Sequence, residues 1–98
     1  MSRELLEQAL EAIRAKRADA RDHGIDLIGV VGSVARGEAK PESDVDVAYA
    51  VVGPASLFDL GGILMDLQDE LGRKADMVDL AGVRPRMRAH MERDLVRA

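Results

Sequence analysis

The chain has 98 residues, 47% of them hydrophobic and 33% charged, with a formal net charge of −4. Such a composition suits a soluble folded protein, excludes a disordered one, and predicts a single small domain over residues 1–98 with little room for a separate substrate lobe. The absence of cysteine excludes disulfides and thiolate zinc, and an acidic chain whose only aromatics are Tyr49 and Phe58 offers nucleic acid neither a field nor a stacking surface.

The N-terminal Met1-Ser2-Arg3-Glu4 turns acidic at once and has no apolar signal core, and no apolar run reaches membrane length. No membrane partner is expected, and the cytoplasm is the expected compartment. Residues 4–22 predict a helix, because Leu6, Leu10, Ile13 and Arg17 recur at helical spacing. Ser2 is its expected cap and His23-Gly24 its expected stop. Residues 25–31, aliphatic and β-branched, predict a buried strand. A Gly32-Ser33 turn follows, then one helical turn over 33–37 and a polar loop marked by Pro41.

A second strand is expected over 44–52, closed by Gly53-Pro54. Ser56 caps a second long helix, Leu57 to Leu71, with Leu60, Leu64, Leu67 and Leu71 along one side. Gly61-Gly62 weakens that helix by roughly 1 kcal/mol per glycine relative to alanine. After a Gly72-Arg73-Lys74 turn, Ala75 to Leu80 predicts a third strand. Pro85 then opens a final helix, with Met87, Met91 and Leu95 as an apolar stripe and five arginines on or beside it. The order is that of an α/β fold, a small mixed sheet of three to four strands flanked by helices.

The chemistry concentrates in the stretch from Gly32 to Asp46. Residues two apart on a strand share a face, so Asp44 and Asp46 aim two carboxylates at one spot. At about 6 Å, two such charges repel by roughly 3 kcal/mol at an effective dielectric near 20. A divalent cation turns the repulsion into ligation, and magnesium prefers such oxygen ligands. Transfer of a nucleotide from ATP suits this set: both ends of the displacement at the α-phosphate carry negative charge, and two metal ions hold them together. Gly32 admits a phosphate close to the backbone, and Ser33 offers a hydroxyl and an N–H beside it. Arg36 is placed to bind phosphate or to brace the loop. A third carboxylate must come from the third strand, where Asp76 and Asp79, three apart, point to opposite faces. The long glycine loop and Lys-Ser/Thr of a P-loop are absent.

Together, Gly32-Ser33, Arg36-Gly37 and Ser43-Asp44-Val45-Asp46 resemble the signature of the DNA polymerase β-like nucleotidyltransferase superfamily, and the whole stretch resembles its minimal nucleotidyltransferase branch. The resemblance covers residues 25–98 and implies a nucleotidyltransferase-like fold. It implies that Asp44 and Asp46 bind magnesium, that Asp76 completes the catalytic and metal-binding set, and that Gly32, Ser33 and Arg36 meet the nucleotide. One departure is Val31, where many relatives carry Phe. The branch further implies an antitoxin that moves AMP from ATP to a tyrosine of a HEPN-type toxin, as part of a hetero-oligomer. Length agrees, since the acceptor has to be presented by another chain. The rival readings are an antitoxin that only masks its toxin, and transfer to an RNA end. Tyr49 is expected to pack rather than to receive AMP, and His23 and His90 to lie on the surface.

Overall fold

The computed structural model describes residues 2–98, with side chains from Glu4 onward. Four helices and four strands alternate along the chain: α1 Ser2–Asp22, β1 Ile25–Val31, α2 Gly32–Ala35, β2 Val45–Val51, α3 Leu57–Leu71, β3 Ala75–Asp79, α4 Pro85–Asp94 and β4 Val96–Arg97. The expected cap at Ser2 falls outside the described side chains. One mixed sheet runs β3-β2-β1-β4, with β1 antiparallel to β2 and β4 and with β2 parallel to β3 through the α3 crossover.

Periodicity explains the packing. Leu10 and Ile13 of α1, Ile63 and Leu67 of α3, and Val45 and Val47 of β2 all join one buried cluster, so α1 and α3 cover the same face of the sheet. Full burial of each such aliphatic side chain is worth about 1.5–3 kcal/mol. Because side chains alternate along β2, Asp46, between Val45 and Val47, points to the opposite face. Arg17, on the buried stripe of α1, donates through Nη2 to the carbonyl of Ala98 at 2.8 Å, pinning the C-terminus to the first helix.

The final helix is shorter than its apolar spacing predicts. It ends at Asp94; Leu95 leaves it, and Val96–Arg97 forms a strand against Gly29 and Val30 of β1. No residue of α4 is buried, and Met87 is 53% exposed, so its methionine stripe is not core. The open edge of β1 decides the change: two residues of pairing and the Ala98 N–H bond to the Ile28 carbonyl outcompete one more helical turn. No helix among the described residues is long and apolar enough to cross a membrane.

Helix α3 is bounded as expected. Ser56 and Asp59 form a reciprocal cap at its start, and Gly72 ends it in a left-handed conformation. A Cβ added at Gly61 or Gly62 meets nothing within 4 Å, so these glycines serve no internal close contact. Gly61→Ala and Gly62→Ala are each expected to stabilise the fold by about 0.5–1 kcal/mol. Thermal melts check this as a rise of several degrees per substitution.

Candidate active site

The site is built where β1 hands over to α2. The strand ends at Val31, directly across from Asp46 of β2. Gly32 then turns the chain at φ +78°, a conformation that a side chain resists. A Cβ there would fall on Asp46 Oδ2, so glycine is what lets this carboxylate lie against the turn. Val31 has no capping side chain to give α2. Ser33 is half-buried, and its side chain makes no hydrogen bond among the described residues. Val34, wholly buried, anchors the turn to the core.

On its other side Asp46 pairs with Asp76 of the parallel strand β3. Asp44 lies two residues earlier, just before β2 begins. Its segment is held by Arg73 Nη1, which donates to the Ser43 carbonyl at 2.9 Å, and by the Val45 N–H, which donates to the Lys74 carbonyl at 3.1 Å. The topology thus sets Asp46 and Asp76 side by side, next to the Gly32-Ser33 turn, with Asp44 just ahead of the strand. Burial pushes the Asp46 carboxyl above its ordinary value, and the charges of Asp76 and Asp44 push the same way; Arg36 opposes them.

Asp79 is on the other face. It pairs with Tyr49, its Oδ1 accepts the Ala81 N–H at 3.0 Å, and its carbonyl accepts the Gly82 N–H at 3.0 Å. Its work is to close the turn after β3. Tyr49 packs against the core, and its phenol is raised by burial and by Asp79. Standing three residues from Asp46 on the same strand, Tyr49 faces away from the carboxylates. His23 is tied to the Asp19 carbonyl, whose hydrogen bond raises its pKa, and His90 lies beside Arg93. The groove of about 400 Å³ that Ala12, Ala15, Asp66 and Glu70 help to line lies between α1 and α3, on the far side of the sheet.

Arg36 is held on two sides. Its Nε donates to Glu38 at 2.9 Å and its Nη1 to Asp94 at 2.8 Å. The sequence reading missed both carboxylates. Glu38 lies in plain view two residues away, whereas Asp94 is 58 residues distant and has no local signal.

Among the described residues, no group of three or more acidic, His or Cys side chains is placed so that it could hold a metal ion. What the sheet provides is a half-buried carboxylate between two others, in no ion pair among the described residues. The oxygen donors of Asp46 and Asp76 are of the kind magnesium takes, and the Arg36 charge acts on Asp46.

The family model for the nucleotidyltransferase domain matches residues 6–97. A relative from Methanocaldococcus jannaschii, provisionally named a protein adenylyltransferase, is 32% identical over 63 residues, covering 64% of this chain and 68% of the relative. A solved structure described provisionally as a minimal nucleotidyltransferase superposes with a TM-score of 0.71 at 35% identity, covering 89% of this chain and 93% of its own. A toxin–antitoxin structure with AMP-PNP shares the fold at a TM-score of 0.56 and 24% identity, covering 74% of this chain and 61% of its own.

Proposed function

The chain belongs to the nucleotidyltransferase domain family, and from that premise we propose that it moves AMP from ATP to a hydroxyl of a partner protein, with magnesium on Asp44, Asp46 and Asp76. One observation carries this reading: Asp46 is in register with both Val31, which leads into the Gly32-Ser33 turn, and Asp76. A polyphosphate seated at the turn would therefore meet Asp46, with Asp76 beside it.

In this reading Gly32 and Ser33 hold the polyphosphate through backbone N–H and hydroxyl, and Arg36 meets its charge. Bound magnesium supplies charge neutralisation at the α-phosphate and at the departing pyrophosphate. The acceptor oxygen bonds to the α-phosphorus as the bond to pyrophosphate breaks. Asp76, exposed at the rim of the set, takes the hydroxyl proton. The partner is a HEPN-type toxin and the acceptor its tyrosine, so the chain acts as an antitoxin within a cytoplasmic hetero-oligomer. The M. jannaschii relative's name favours a protein acceptor; the toxin–antitoxin neighbour contributes architecture.

Labelled ATP, magnesium and the protein encoded beside this chain test the proposal by transfer of label. Asp76→Asn is expected to lower the rate by about a hundredfold or more. Asp79→Asn, on the opposite face, should leave it within about threefold and keep the turn, because the amide oxygen can still accept the Ala81 N–H. Equal losses at both positions, or no transfer by the native chain, would remove the assignment. A second reading, masking by contact alone, is favoured by Leu57 and Phe58, 86% and 92% exposed at the start of α3. It predicts that a chain carrying both Asp44→Asn and Asp46→Asn still neutralises the partner in cells.

A further inference from the structure

We propose that Asp94 is a positioning residue for nucleotide binding: it fixes the Arg36 guanidinium beside the Gly32-Ser33 turn before ATP arrives. This rests on the reading of that turn as the polyphosphate seat.

The geometry is a clamp with one side open. Arg36 closes α2, its own N–H bonded to the Gly32 carbonyl at 3.1 Å, so its stem starts one turn from the phosphate seat. Glu38 engages Nε and Asp94 engages Nη1, while Nη2 has no acceptor among the described residues. The hydrogen bond to Glu38, then that to Asp94, raises the Arg36 pKa. A guanidinium fixed through two of its nitrogens keeps the third for an incoming anion, and rotamer entropy already spent on the clamp is not lost again on binding.

Of the two partners, Asp94 supplies the rigid arm. Glu38 is 64% exposed and belongs to the same loop as Arg36, whereas the Asp94 side chain is 28% exposed. Asp94 ends α4, which packs on α2 and β1, and the chain just beyond it is pinned. Val96 and Arg97 pair with β1, the Ala98 N–H donates to the Ile28 carbonyl, and Arg17 holds the Ala98 carbonyl. The C-terminal strand thereby grips the end of β1 that leads into Gly32: it sets where Asp94 stands, and Asp94 sets where Arg36 points.

The test is calorimetric binding of α,β-methylene-ATP with magnesium, an analogue that cannot transfer AMP. Asp94→Ala and Arg36→Ala are each expected to weaken binding by about five- to tenfold. In the double variant the losses should not multiply, because both remove one device. Asp94→Glu should recover most of the affinity, and Asp94→Asn, which keeps the side-chain shape, should fall between. Melting temperatures report the fold separately. Native affinity in both Asp94→Ala and Asp94→Asn, or multiplying losses in the double variant, overturns the inference while leaving the function standing. Failure of the native chain to bind the analogue removes the function and this inference together.

Discussion

Asp46→Asn is expected to cut AMP transfer by about a thousandfold or more and, without magnesium, to make the fold more stable. The two effects share one cause. Asp46 is half-buried between Asp44 and Asp76, and its carboxyl is raised by burial first and by those charges next. A raised carboxyl means that the folded chain binds its proton more tightly than the unfolded chain does. As pH rises from the unfolded value through the folded one, stability is lost; as pH falls back through that window, it returns. The asparagine removes the charge and with it this pH dependence. Solvent screening limits the relief to about 1 kcal/mol, a rise of several degrees in melting temperature at neutral pH. Magnesium should reverse the order: it stabilises the native chain by binding the folded state, and leaves Asp46→Asn nearly unmoved. Melts with and without magnesium at two pH values, beside the transfer assay, check each part. A native chain that gains nothing from magnesium would count against Asp46 as a ligand.

That trade explains which features were legible in the sequence. Asp44 and Asp46 show themselves because a strand over 44–52 would aim both carboxylates at one face, an expense that a merely structural strand has no reason to carry; the strand begins at Val45, so its periodicity places Asp46 alone. Gly32 shows itself because Gly-Ser directly after an aliphatic run marks a turn with open backbone. Asp76 and Asp79 are separable only in part: spacing says that they oppose each other, but the register of β2 on β3 decides which one meets Asp46. Asp94 and β4 were not legible. Leu95 fits a helical stripe with Met91, and a strand of two residues is too short to leave a period. What makes it a strand is the unpaired edge of β1, a tertiary fact. The pairing of Arg36 with Asp94 depends on that same edge, so it stays hidden until the sheet is assembled.

Gly32→Ala should disable the site by geometry where Asp46→Asn does so by charge, and the two routes can be told apart. The alanine incurs a backbone cost of about 1–2 kcal/mol for a positive φ, seen as a fall of about 4–8 °C in melting temperature per kcal/mol. Its methyl group also falls on Asp46 Oδ2, the mobile end of that side chain, so the carboxylate must swing off the turn. Transfer should drop by about a hundredfold, with weaker magnesium stabilisation. Gly37→Ala separates the terms. Gly37 has φ +74°, yet a Cβ there meets nothing within 4 Å. It should incur the same backbone cost and the same loss of melting temperature, while transfer stays within about threefold of native. If Gly37→Ala loses as much activity as Gly32→Ala, backbone strain in the loop governs the site, and close approach of the Asp46 carboxylate to the turn does not.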